Sequence, residues 1–506
     1  MNDFTHLLDL ASARLGGQVV AANDEFFALK DNLVKPDAPI FIPGKYTDRG
    51  KWMDGWETRR RRTAGHDWCI VKLGLCGIVH SVAVDTTFFT GNFPSHASID
   101  AAGLGPDDDP LADAIVWHPI VARTELAGNS VNTFAVGDRR RWTHIRLNIF
   151  PDGGVARLHV MGEVMPDWTR VLASGADIDL ALAVNGGYIV DTSDRFYGEP
   201  RNMLMSYPPL TMADGWETKR RRGPGHDWSV LRLGIEGAVH AIEIDTAHFK
   251  GNYPDSTSVD AAIVEEKAGG VSADVSTRAI AEWKPLLAQT PLQPDHLHAF
   301  GAGAVGELSA THVRLNIFPD GGISRFRILG APLPEPRRRA VLRLLNAMDA
   351  PDLRASLAAF NGAPAWIDRV AQQRPFGSAD ALLRAADSES ETLSDADWRE
   401  AFRHHPRIGE SRADRAQSLA AGESSALEQS GVHSADAAVR RALDQGNREY
   451  EQRFGHMFIV AAAGRSASDI VASLRDRLQN DPATELRAAA AEHRKITQLR
   501  LQRLIG

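Results

Sequence analysis

The sequence predicts a multidomain chain: two duplicated all-β domains of sandwich or jelly-roll type, followed by an all-α domain. Three observations carry this prediction. The chain has 506 residues, which at the usual domain size of about 150 residues makes roughly three units. Its first two thirds repeat themselves. Its last third changes from a period of two to a helical period.

The repeat comes first. Asp54-Gly55-Trp56-Glu57-Thr58-Arg59-Arg60-Arg61-Arg62 returns as Asp214-Gly215-Trp216-Glu217-Thr218-Lys219-Arg220-Arg221-Arg222. Gly65-His66-Asp67-Trp68 returns as Gly225-His226-Asp227-Trp228, and Asp100-Ala101-Ala102 as Asp260-Ala261-Ala262. The block Thr143 to Gly154 returns at Thr311 to Gly322. Two units, residues 1–170 and 171–335, are too large for solenoid repeats and right for duplicated domains.

Within each unit the strands are readable. Ile145, Leu147 and Ile149 alternate with His144, Arg146 and Asn148, the pattern of a half-buried strand. Pro151-Asp152-Gly153-Gly154 is turn chemistry, and the alternation resumes from Val155 to Met161, which predicts a hairpin. Trp68 to Gly74 and Ile78 to Asp85 predict two strands around Gly77. Short strands punctuated by Gly and Pro point to a sandwich or jelly roll. After Gly330, the prolines 332, 334 and 336 with Arg337-Arg338-Arg339 suggest a linker. Residues 338–506 then form an all-α domain with amphipathic faces such as Ile470-Val471-x-x-Leu474.

Composition narrows the function. With 43% hydrophobic and 24% charged residues the chain is globular. Its 57 Lys+Arg against 65 Asp+Glu give a net charge of −8, a poor balance for a nucleic-acid protein. There is no apolar run long enough for a membrane span. The start, Met1-Asn2-Asp3-Phe4-Thr5-His6, lacks signal-peptide character, so a cytoplasmic enzyme is expected. Cys69 and Cys76, the two cysteines, fall opposite Ser229 and Glu236 in the second copy, which disfavours thiol chemistry in the repeats.

Retention between copies marks polar candidates: Glu57/Glu217, the basic runs with Arg59, Arg61, Arg220 and Arg221, His66/His226 and Asp85/Asp245. Guanidinium groups beside a carboxylate and an imidazole suit a carboxylate substrate. A solvated basic face and retained turns are the plain alternative. A divalent ion is left open for this half, since no His-x-x-x-His spacing occurs. In the helical domain, His404-His405-Pro406 ends a helix-like stretch, Ser425-x-x-Glu428 reads as a capping box, and Arg500 sits in an apolar stretch where it needs a partner. Asn447, Tyr450 and Phe454 share one helix face that runs into Gly455, a C-terminal stop.

Taken together, the repeated motifs resemble allantoicase across about 330 residues, through Gly-Trp-Glu-Thr-(Arg/Lys)-Arg-Arg-Arg, Gly-His-Asp-Trp and Arg-Leu-Asn-Ile-Phe-Pro-Asp-Gly-Gly. The resemblance implies a pair of galactose-binding-like jelly rolls and hydrolysis of allantoate to ureidoglycolate and urea. The third domain resembles 2-oxo-4-hydroxy-4-carboxy-5-ureidoimidazoline (OHCU) decarboxylase, through His405-Pro406-x-Ile408-Gly409, Ser425-x-x-Glu428-Gln429-x-Gly431, Asn447-x-x-Tyr450 and Lys495-Ile496-x-x-Leu499-Arg500-Leu501. That resemblance implies an all-α fold that forms (S)-allantoin without a cofactor. His405, Glu428 and Arg500 would be its catalytic set. Pro406, Ser425, Gln429 and the backbone of Phe458, Ile459 and Val460 would contact substrate. His456-Met457 replaces the family's usual aromatic-proline pair, and His404 beside His405 leaves two imidazoles to choose between. The expected partners are the two small-molecule substrates, with no nucleic acid or membrane, and a homo-oligomer is left open. Jelly-roll modules that bind carbohydrate, attached to a helical decarboxylase, are the alternative reading.

Overall fold

The computed structural model describes residues 7–105, 108–172, 175–264, 282–405, 437–462 and 465–505. Contacts divide the chain into two compact units, Met1–Ala340 and Val341–Gly506.

The first unit is β-structure built twice. In the first copy an antiparallel sheet runs in the order Leu8–Asp9, Arg157–Val164, Asp67–Asp85, Arg141–Phe150, His96–Ala102, His118–Glu125. Gln18–Ala22 and Val131–Ala135 also pair with the Asp67–Asp85 strand. The second copy repeats this order around Asp227–Asp245. The two strands predicted around Gly77 are therefore one strand of 19 residues.

That strand serves two sets of neighbours. Its first part pairs with Gln18–Ala22 and with Arg141–Phe150, and its second part pairs with Arg157–Val164 and Val131–Ala135. The change of partners lies at Gly74 to Gly77. A Cβ on Gly74 would sit 2.4 Å from the Leu15 carbonyl oxygen, and one on Gly234 would sit 1.8 Å from that of Asn185. Only glycine lets the backbones approach this closely.

Trp56 and Trp216, both fully buried, anchor the short ladders that pin the Gly-Trp-Glu segments to Gly154–Val155 and Gly322–Ile323. An ion pair is also buried in the first copy. Arg157, 1% exposed, donates from Nη2 to Asp54 Oδ2 at 2.7 Å, and from Nε to the Asp37 carbonyl at 2.9 Å. Burial alone would raise the Asp54 carboxyl, but the bonds from Arg157 and from the Ile40 amide hold it below the usual carboxylate range.

The second unit is helical. Among the described residues its helices are Pro334–Ala347 (which begins before the unit boundary), Ala350–Ala358, Pro364–Gln372, Ala379–Glu391, Asp395–Arg403, Ala437–Phe454, Ala467–Arg477 and Pro482–Ile505. The expected linker is corrected here, because Pro334 and Pro336 occupy the first turn of a helix. The missing N–H groups cost nothing there, since first-turn amides have no intrahelical partner. Ser378, Ser394 and Ser466 accept from amides at the starts of their helices. The Ala437–Phe454 helix stops at Gly455, where φ is +72°. Pro482–Ile505 packs against Ala379–Glu391 and Asp395–Arg403.

Arg157→Ala should lower the stability of the repeat unit by about 3 kcal/mol, because it leaves the buried Asp54 carboxylate with only the half-exposed Lys35 ammonium and the Ile40 amide. The urea midpoint of that unit's unfolding reads the loss, and a shift worth less than about 1 kcal/mol would show that the pair does not anchor the fold.

Candidate functional site

The arginine run does not act as one patch. Arg59 is exposed and pairs through Nε with Asp24 at 2.6 Å, as Lys219 pairs with Asp194 at 3.3 Å. Arg60, Arg62, Arg220 and Arg222 are exposed. Arg61 turns inward, where its amide donates to Asp152 Oδ2 at 2.8 Å and its guanidinium pairs with Asp67 at 3.2 Å. Arg221 pairs with Asp227 in the same way. The Nε of both Arg61 and Arg221 is buried without a hydrogen-bond partner among the described residues.

Glu57 and Glu217 each hold one fixed donor. Asn92 Nδ2 donates to Glu57 Oε1 at 2.7 Å, and Asn252 Nδ2 to Glu217 Oε1 at 2.6 Å. Glu57 is half-buried, and burial raises its carboxyl above the ordinary value. Such a carboxyl suits general acid or base work. Asp85 and Asp245 are placed otherwise: each caps the turn after its long strand by accepting from the amide two residues on, at 2.8 Å. That is a turn-forming job, and neither carboxylate bonds to Glu57, Glu217, His66 or His226.

His66 and His226 instead join a polar network on the strand pair behind the loop. His66 Nε2 lies 3.3 Å from Asn148 Oδ1, and Asn148 Nδ2 donates to Asp100 Oδ2 at 2.9 Å and to Ser98 Oγ at 3.1 Å. Arg146 donates to the same Asp100 oxygen from Nε at 3.1 Å and Nη2 at 2.8 Å. Trp117 lies against that guanidinium at 4.7 Å. The cause is register, because Asn148 faces Ser98 and Arg146 faces Asp100 across the ladder. The alternation of His144, Arg146 and Asn148 marks this strand face in the sequence, and Asn92 and Asp100 recur between the copies, whereas nothing in the sequence marks Ser98 or Trp117 as its neighbours. Among the described residues no group of three His, Cys, Asp or Glu side chains is arranged to hold a metal ion.

In the helical unit the two adjacent histidines part. His404 caps the Asp395–Arg403 helix, is exposed, and lies 3.7 Å from Glu400. His405 is half-buried and meets the ring of His493 edge-on, with centroids 4.6 Å apart. Burial, with His493 and Arg500 nearby, drives the His405 imidazole well below its ordinary value, so it rests neutral. His493 is fully buried, pushed down to about 3 by burial, and its Nε2 has no hydrogen-bond partner among the described residues. Nothing in its sequence context distinguishes it. Arg500 lies two helical turns beyond His493 and donates to the Ala359 carbonyl at 3.4 Å.

The Phe458–Val460 segment is buried and held from both sides. Arg477 Nη1 donates to the Ile459 carbonyl at 2.6 Å, and Glu492 Oε2 accepts from the Ala461 amide at 2.9 Å. Arg477 is fixed in turn by Glu485, to which the Tyr450 hydroxyl also donates. Pro406, Ser425, Glu428 and Gln429 lie outside the described residues.

Comparison with known proteins supplies families for both halves. The allantoicase repeat model matches residues 8–165 and 178–333, and the OHCU decarboxylase model matches residues 346–502. A probable allantoicase from Burkholderia pseudomallei is 48% identical over 323 residues, which cover 64% of this chain and 94% of that protein. One from Ralstonia nicotianae is 49% identical over 334 residues, 65% of this chain and 96% of that one. The crystal structure of allantoicase from Saccharomyces cerevisiae superposes with a TM-score of 0.54 at 35% identity, covering 64% of this chain and 92% of that one.

Burial also sets a pH dependence. His144 and His312 are pushed down to about 4 and His493 to about 3. Each is neutral when folded, whereas the unfolded chain takes up its proton near pH 6.5. The stability they contribute is therefore complete above pH 6.5 and drains as pH falls toward 4, by about 1.4 kcal/mol per pH unit for each histidine. Urea midpoints between pH 6.5 and 5 should show this slope, and His144→Gln should flatten it by one histidine's share.

Proposed function

Because the chain belongs to the allantoicase family through both repeats and carries an OHCU decarboxylase domain after them, we propose that it is a bifunctional enzyme of urate degradation. The repeats hydrolyse allantoate to (S)-ureidoglycolate and urea, and the helical unit decarboxylates OHCU to (S)-allantoin. The product of the second reaction still has a closed ring and must be opened before it becomes the substrate of the first. Direct transfer between the two sites therefore has no role, and the fusion serves co-expression or co-localisation. Both substrates are small polar solutes, which suits a cytoplasmic enzyme.

The observation that carries the decarboxylase reading is the neutral, half-buried His405 beside His493 and Arg500. Loss of CO2 leaves an electron pair on the ring carbon, and the enolate-like species must be protonated on one face. A neutral imidazole can accept the proton of the substrate's hydroxyl and return one to carbon. Arg500 can hold the oxyanion, and Glu428 can orient substrate N–H groups. These groups supply acid, base and charge stabilisation, so we assign this step no cofactor. In the repeats, Glu57 and Glu217 have the chemistry to protonate a departing ureido nitrogen or to activate water. A divalent ion at this half is a proposal that metal removal and reconstitution would decide.

His405→Ala should reduce decarboxylation by about 10²–10⁴-fold and leave urea release from allantoate unchanged. Glu57→Gln combined with Glu217→Gln should do the reverse. Parallel assays of the full chain on OHCU and allantoate check both. Loss of both activities in either variant would refute two independent sites, and an unaltered His405→Ala enzyme would remove His405 from the chemistry.

A further inference from the structure

The polar network behind the Gly-Trp-Glu loop is complete in both repeats, and it keeps unused bonding capacity at the same atoms. In the second copy His226 Nε2 lies 3.3 Å from Asn316 Oδ1, and Asn316 Nδ2 donates to Ser258 Oγ at 3.1 Å and to Asp260 Oδ2 at 2.9 Å. Arg314 donates to that oxygen from Nε at 3.1 Å and Nη2 at 2.7 Å, and its guanidinium lies 4.7 Å from Trp283. Each distance agrees with its counterpart around Arg146 within 0.1 Å. In each repeat the carboxylate uses one oxygen for every bond. Asp100 Oδ1 and Asp260 Oδ1 accept nothing among the described residues, and the Nη1 edges of Arg146 and Arg314 donate nothing there.

A guanidinium whose Nε side is clamped by an aspartate, and whose plane is held by an indole, presents its Nη1–Nη2 edge as a fixed fork. That fork matches a carboxylate in bidentate geometry. The spare aspartate oxygen beside it is an acceptor for the N–H groups of a urea. The two arginine side chains are 31% and 33% exposed, so the fork is reachable. Within the second copy, Trp283 also packs, with Val190, Trp228 and Val264, against an apolar cluster of Val230 and Ala262. A further cation stands on the same face: Lys72 is opposite His144, and Arg232 is opposite His312. Their charge adds to burial in holding those histidines low.

We propose that each repeat carries its own site for a ureido-carboxylate, with Arg146 or Arg314 gripping the carboxylate and Asp100 or Asp260 accepting from the ureido N–H. The chain then holds two equivalent sites rather than one active and one vestigial copy. The identity of the turnover substrate rests on the function proposed above, whereas the number of sites does not.

The test uses the full chain and two readouts. Calorimetric titration with hydantoate, a stable carboxylate bearing one ureido group, should give two molecules per chain. Arg146→Ala and Arg314→Ala should each give one, and the double variant none. Urea release from allantoate should fall about twofold in kcat in each single variant with KM unchanged, and by more than 100-fold in the double variant. Decarboxylation of OHCU should be unchanged throughout, which reports that the chain is intact. If an alanine variant melts early, Arg146→Lys and Arg314→Lys keep the charge without the fork, and they should lose hydantoate binding in the same pattern. A wild-type stoichiometry of one, a single variant that abolishes urea release, or a double variant that retains it would overturn the proposal. A wild-type chain that binds two hydantoates but releases no urea would instead overturn the allantoate reading and leave the two sites standing.

Discussion

The repeat unit depends on one strand in each copy. Asp67–Asp85 and Asp227–Asp245 each run for 19 residues and change neighbours midway. Gly74 and Gly234 allow that change, because their backbones press against carbonyls where a side chain cannot fit. The first part of the strand brings the Arg141–Phe150 strand into register with His96–Ala102. That register sets Arg146 opposite Asp100 and Asn148 opposite Ser98. His66, just before the same strand, and Asp67, its first residue, fasten the basic loop to this face. One shared strand thus fixes both the layers and the polar network.

The same constraint explains what the sequence disclosed. A strict period of two, bracketed by Pro-Asp-Gly-Gly, exposed the Arg141–Phe150 strand and its hairpin. The partner of Arg146 was hidden, since pairing across a ladder leaves no periodic mark. Trp117 and Trp283 were hidden for another reason, as they stand in connections of unlike spacing, 15 residues after Ala102 in one copy and 21 after Ala262 in the other. Asp85 shows that turns are retained as faithfully as sites. Its carboxylate stays because the chain must reverse after it. The prolines at 334 and 336 misled because proline breaks a helix in its interior but fits its first turn.

In the helical unit, charge is buried only where it is fully engaged. Glu485 is inaccessible to solvent, yet Arg477, Tyr450 and Asn480 all bond to it. Arg477 then reaches the Ile459 carbonyl, so the segment expected to present its backbone to substrate is braced from behind. His493, buried as a neutral ring, has one nitrogen without a partner among the described residues. It flanks the His405 ring, and burial together with the nearby Arg500 charge keeps its imidazole neutral.

The matching registers of the two copies carry a cost in folding. The strands Arg141–Phe150 and Ser309–Phe318 have the same length, and their sequences agree at seven of the last eight positions. Each is thus a competent partner for the other's long strand, and a chain released unfolded can exchange them. Tandem domains of close sequence are prone to such misassembly. Synthesis from the N-terminus removes the ambiguity, because the first copy can close before its rival strand leaves the ribosome. Vectorial synthesis thus favours the pairing of each strand within its own repeat.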